Sequence, residues 1–197
     1  MQLKNGDALI VVDVQRDFLP GGSLAVPHGD EVIPAINAAI AQFQSTGLPV
    51  VATRDWHPPD HCSFVAQGGS WPSHCIKDTP GAEFPEQLEL PDSTMVISKG
   101  TEADREAYSG FEGTGLGARL HALDVKRVFV GGLATDYCVR ATVQDAVRHG
   151  FDVVVLREAV RAVNIKANDE HEAIAAMRDS GAAFVGRGAF NVNDRTT

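Results

Sequence analysis

Three things are scarce in this sequence, and each shortage removes a class of protein. There is no apolar run near the roughly 18 residues that a membrane-crossing helix needs. The apolar run Ala8 to Val12 is stopped by Asp13. The opening Met-Gln-Leu-Lys-Asn-Gly-Asp has no basic segment leading into an apolar one, so no secretory leader is read and a cytoplasmic protein without a membrane partner is expected. Positive charge is short: 17 Lys and Arg face 26 Asp and Glu, a net charge of −9. That argues against a nucleic-acid partner, which favours a basic face. Cysteine is scarce and odd in number, at 3, so no disulfide framework is expected and each thiol must be read from its surroundings.

What is present is ordinary globular composition, 44% hydrophobic and 22% charged over 197 residues. That is enough chain to bury a substantial core, and residues 1–197 read as one domain. Residues 8–14, ALIVVDV, are almost continuously β-branched, as in a strand buried on both faces of a parallel sheet. Further strands are predicted at 49–53, 94–98, 128–130, 152–156 and 182–185. Between them, Val32, Ile33, Ile36, Ile40 and Phe43 keep helical spacing after a cap at Gly29 or Asp30, up to about Ser45, with Gly47 as the stop. Leu116 to Leu123 reads as a short helix, and 168–180 as a helix capped by Asn168. From Pro59 to about Pro91 there is no clear period; a loop of that length is usually functional or disordered, and its aromatics and prolines argue for order. The polar tail from Asn191 is expected to fray. Alternating strands and helices predict a doubly wound α/β fold, a mainly parallel six-stranded sheet flanked by helices.

In such a sheet, ligands bind beyond the C-terminal ends of the strands. Asp13 ends the first strand, Lys99 the third, and Cys138 follows the fourth. Gly131 and Gly132 are expected to form a tight turn there, with Thr135 or Asp136 as the cap of a helix carrying Cys138 in its first turn. A thiol so placed faces the positive end of the helix dipole, which lowers its pKa. Taken alone, Cys138 reads equally well as a buried structural thiol, Asp13 as a capping carboxylate and Lys99 as a solvated lysine. Taken together at one sheet edge they read as nucleophile, base and cation.

Asp55 and His57 lie just past the second strand, two residues apart, so both project from one side of an extended segment. His74 can complete a set of two imidazoles and a carboxylate, which suits one divalent ion such as Zn, Fe or Mn and leaves positions open. His61 is a further candidate ligand, and Cys62 and Cys75 read as structural. Phe18, Trp71, Tyr108 and Tyr137 fall in loops at the same edge and could wall a flat aromatic pocket. Gly113-x-Gly115-x-Gly117 precedes a helix but follows no strand and has the wrong spacing for a dinucleotide fingerprint.

VVDVQRDF, TRDWHP, WPSHC, SKG and GLATDYCV, in this order and over nearly the whole chain, resemble the nicotinamidases of the isochorismatase-like cysteine hydrolases. The resemblance implies Asp13 as general base, Lys99 as charge stabiliser and Cys138 as nucleophile. It implies metal ligands at Asp55, His57 and His74, with His61 a further ligand in some relatives. It implies a cis peptide between Leu133 and Ala134, with the N–H groups of Ala134 and Cys138 as the oxyanion hole. It implies ring-binding positions at Phe18, Leu24, Trp71, Tyr108 and Tyr137. The activity implied is hydrolysis of nicotinamide, and of pyrazinamide, through a cysteine thioester in NAD salvage, the partner being a small aromatic carboxamide. Another cysteine hydrolase of the same fold, a zinc hydrolase with a structural Cys138, and a non-catalytic metal-binding domain are the alternatives. A homo-oligomer stays open, since no exposed heptad or apolar stripe marks an interface.

Overall fold

The computed structural model describes residues 1–186 and Gly188; the tail from Asn191 lies outside the described residues. Six parallel strands form one sheet in the order β3-β2-β1-β4-β5-β6. They are β1 (Asp7–Val12), β2 (Val50–Asp55), β3 (Met95–Lys99), β4 (Arg127–Leu133), β5 (Asp152–Arg161) and β6 (Ala183–Val185). The helices are α1 (Val32–Ser45), α2 (Leu116–Ala122), α3 (Arg140–Arg148) and α4 (Asp169–Asp179).

The run in β1 is continuously apolar because both faces of the strand are covered. Leu9 and Val11 join Ile36, Ile40 and Phe43 of α1 on one side. Ala8, Ile10 and Val12 join Leu116 and Leu120 of α2, Val143 of α3 and Met177 of α4 on the other. Phe43 meets Phe129 of β4 edge-on, ring centroids 5.5 Å apart. As expected, α1 stops at Gly47: this residue takes φ +69, its N–H bonds Gln44 O, and Leu48 N–H reaches back to Phe43 O. No helix among the described residues is long and apolar enough to cross a membrane.

Several local expectations change. Gly131 and Gly132 do not form a turn; they extend β4 to Leu133. Their lack of side chains serves close packing. A Cβ on Gly132, which has φ +133, would lie 2.0 Å from Val12 O, and one on Gly131 would lie 2.9 Å from the Ala159 Cβ. Neither Thr135 nor Asp136 caps the next helix. Asp136 instead accepts the N–H groups of Val163 and Asn164, tying the end of β5 to this corner. Asn168 sits at the N-cap of α4, but its side chain makes no cap bond; Asn164 accepts the N–H of Glu170 in its place. β5 runs on to Arg161 through a register shift against Val130 and Gly132.

Candidate active site

The strand order puts β2 and β4 on either side of β1, so the chain leaves in opposite directions beyond the ends of β1 and β4. That opens a crevice at the C-terminal edge. Asp13 follows β1 directly, with φ +48. β2 runs two residues beyond its predicted end at Thr53, so Asp55 is its last residue, and Lys99 is the last of β3. These two are register partners. Cys138 follows β4 on a π-helical turn, Thr135–Val139, rather than in the first turn of an α-helix. The Leu133–Ala134 peptide that leads into it is cis.

The turn delivers Cys138 to Lys99, whose Nζ lies 3.5 Å from its Sγ. The same Nζ is 2.9 Å from Asp13 Oδ2, donates to Asp55 Oδ1, and donates to Ala107 O at 3.1 Å. Asp13 Oδ1 accepts the Thr53 hydroxyl at 2.6 Å. Its Oδ2 has Lys99 at ion-pair distance, yet no hydrogen bond of good geometry. An acceptor site is thereby left on the oxygen, and oxygens of Asp13 and Asp55 and the Cys138 sulfur lie within 4.8 Å of one another.

All these groups are buried, and burial dominates their protonation. It pushes Asp13 above the usual carboxylate range, Lys99 opposing and Asp55 adding to the rise. It would also raise Asp55, but Lys99 and His57 outweigh it and hold that carboxyl low. Burial would lower Lys99, but the two carboxylates raise it, so it stays charged. Cys138 departs from expectation: enclosure raises its pKa, with Lys99 only partly opposing. The lysine's charge is already shared between two aspartates. Burial thus favours the thiol form of Cys138, and a nucleophilic role for it would require a base beside it.

Asp55, His57 and His74 each offer a ligand atom, all within 4.8 Å of one another. The ring orientations fit a metal. His57 Nδ1 is 2.8 Å from Gly100 O, and His74 Nδ1 is 2.8 Å from Pro72 O. A carbonyl only accepts, so each Nδ1 carries a proton, and in the neutral imidazole Nε2 then keeps the lone pair that a metal-ligating histidine offers. Gly100 matters to this arrangement: with φ +60, its Cβ would strike the His57 ring at 2.4 Å. The donor set therefore fits one divalent ion. His61 is stacked on His57 at 4.0 Å, but it bonds Ser63 Oγ and Arg105 O through its two ring nitrogens and stands outside the set. All three cysteines are free; Cys75 is buried, Cys62 half-buried.

Phe18, Leu24, Trp71, Tyr108 and Tyr137 line one pocket with the metal donors, Ala134 and Cys138. Trp71 Nε1 donates to the Tyr108 hydroxyl at 3.0 Å, and its ring meets Tyr137 edge-on at 4.9 Å. The sequence reading missed Val26, Glu106 and Val163 in this wall. It also missed what holds the donors still. Gln15 clamps Asp55 from both sides, donating to its C=O at 2.7 Å and accepting its N–H at 2.8 Å. Asp17 accepts the Cys75 N–H at 2.7 Å, next to His74. The D-x-Q-x-D spacing of 13–17 was the available signal. In the glycine pattern at 113–117, Gly113 and Gly115 take φ +69 and +71 with open space around them, and Gly117 lies against the His149 ring.

The chain is 37% identical to a nicotinamidase of Escherichia coli over 198 residues, covering 90% of this chain and 93% of that protein. Its fold superposes on the pyrazinamidase of Pyrococcus horikoshii, solved in complex with zinc, with TM-score 0.88 and 53% identity, covering 92% of this chain and 99% of the other. It superposes on PnC1 of L. infantum, solved in complex with nicotinate, with TM-score 0.89 and 37% identity, covering 96% and 98%. Isochorismatase-domain sequences match residues 7–187. With that match spanning the whole sheet and every residue of the buried cluster, the chain belongs to the isochorismatase family.

Proposed function

We propose that this chain is an amidohydrolase that converts nicotinamide to nicotinate and ammonia, accepts pyrazinamide, and serves NAD salvage in the cytoplasm, with residues 1–197 as one catalytic domain. The observation that carries this reading is that Cys138, with Lys99 and Asp13 beside it, lines a pocket that also holds Asp55, His57 and His74 among aromatic walls.

Asp13 takes the proton from the Cys138 thiol, whose burial keeps it neutral until then. The sulfur attacks the carboxamide carbon. The negative charge that develops on oxygen is met by the N–H groups of Ala134 and Cys138. Lys99 holds Asp13 and Asp55 in place and offsets their charge. Asp13 passes its proton to the departing nitrogen, ammonia leaves, and a thioester on Cys138 remains. Asp13 then draws a proton from water as it attacks the thioester, which releases the carboxylate and returns the thiol. Phe18, Leu24, Trp71, Tyr108 and Tyr137 hold the ring flat. Asp55, His57 and His74 would hold Zn, Fe or Mn; when bound, the ion supplies a positive centre for the ring nitrogen, directly or through water.

Ammonia release from nicotinamide tests the reading, measured for wild type, Cys138→Ala and His57→Ala with metal content determined for each. Release by wild type alone is expected. None from folded, metal-loaded wild type refutes the substrate. Release by Cys138→Ala refutes the nucleophile, and full activity in metal-free His57→Ala refutes the role of the ion.

A further inference from the structure

Glu106 lies between β3 and α2, half-buried, in the wall of the pocket that holds Cys138, Asp55 and His74. Its structural duty is slight: Oε1 accepts the N–H of Ala107 at 3.1 Å. Among the described residues no lysine or arginine pairs with it, and the adjacent Arg105 turns to Glu102 instead. An unpaired carboxylate facing a substrate pocket is costly to the pocket's affinity for any anion.

The charge of the site gives that cost a purpose. Lys99 is set against Asp13 and Asp55. With both aspartates ionised and a divalent ion in the donor set, the site would carry one net positive charge without Glu106. It would attract carboxylates, including the product of its own reaction. Glu106 brings the net charge to zero. The substrate of amide hydrolysis is neutral and its product is an anion, so a carboxylate here acts on one and not on the other.

We propose that Glu106 sets the charge selectivity of the pocket: it holds off aromatic carboxylates, admits neutral aromatic carboxamides, and speeds departure of the anionic product. This rests on the amide-hydrolysis reading above.

The test is equilibrium binding of nicotinate and nicotinamide, by calorimetry, to zinc-loaded Cys138→Ala and to zinc-loaded Cys138→Ala/Glu106→Gln. The Cys138→Ala background prevents turnover, and glutamine keeps an acceptor for the Ala107 N–H. Removing the charge is expected to tighten nicotinate binding about 3- to 10-fold and to leave nicotinamide within about twofold, with the difference shrinking as salt rises. In the Cys138-containing enzyme, Glu106→Gln should show stronger product inhibition by the same factor with KM for nicotinamide nearly unchanged. If nicotinamide binds but nicotinate affinity does not change, or both ligands shift equally, the role of Glu106 is refuted and the functional reading stands. If neither ligand binds the Cys138→Ala protein, the functional reading fails and the inference falls with it.

Discussion

Lys99→Met removes the cation that separates two buried carboxylates. Methionine is close to lysine in length and flexible enough to fill its channel, so the substitution changes charge more than packing. Asp13 is 0% exposed and Asp55 4%, so neither carboxylate can turn to water. Breaking a buried ion pair by removing one partner costs about 3–5 kcal/mol. At about 2–4 °C per kcal/mol for a chain of this size, the melting temperature should fall on the order of 6–20 °C at neutral pH. The pH dependence has a definite sign. Burial already holds Asp13 above the ordinary carboxylate pKa, and Lys99 opposes that rise. Without Lys99 the folded-state pKa climbs further above the unfolded one, so the folded state binds the extra proton. Stability lost at pH 7.5 should therefore be partly regained towards pH 5. Adding Asp13→Asn removes the like-charge pair and should restore most of the deficit. Urea denaturation of the metal-free proteins at both pH values measures this without ion binding at Asp55 adding stability. A loss under about 1 kcal/mol, or a deficit that Asp13→Asn leaves untouched, would refute the electrostatic reasoning.

Three further outcomes follow from the same geometry. Gly132→Ala would set a Cβ 2.0 Å from Val12 O at φ +133; chemical denaturation should show a loss on the order of 3 kcal/mol or more, or no soluble protein. Because burial raises Asp13 and a base must be deprotonated, kcat/KM should fall with decreasing pH through a pKa above the ordinary carboxylate range, while circular dichroism shows the fold intact; an acid limb within or below that range contradicts the assignment. Stripping the ion with a chelator should raise KM for nicotinamide and abolish most turnover, both recovering on adding back zinc, and His74→Ala should hold less metal by direct analysis.

The sheet was legible from the sequence because its inner strands are covered on both faces. Ala8 to Val12 shows that as an unbroken apolar run, and helix-spaced residues such as Ile36, Ile40 and Phe43 show the covering layer. Asp13, Asp55 and Lys99 were legible for a related reason: each stands at or just beyond a strand end, and strand ends can be found from composition. What sequence could not show was partnership. Asp55 was read as a metal donor only, yet its register with Lys99 makes it half of the lysine's anchorage as well. Register belongs to strand pairing and not to either strand alone. The lowered thiol pKa expected for Cys138 fails on the same ground. Its surroundings come from β1, β2 and β3, and the turn that carries it is π-helical, a form with no clear sequence period. Gly131 and Gly132 look like a turn in isolation; only the closeness of Val12 and Ala159 shows them to be a packing seam. Glu106 carried no motif at all and is recognisable only from the pocket it lines.

The most direct measurement is rapid-quench mass spectrometry of the metal-loaded enzyme mixed with excess nicotinamide. The peptide containing Cys138 should carry a nicotinoyl thioester within the first turnover, formed as ammonia appears, and Cys138→Ala should form neither adduct nor ammonia. Turnover with no acyl group on Cys138, together with ammonia release that survives in Cys138→Ala, would contradict a covalent mechanism at this cysteine.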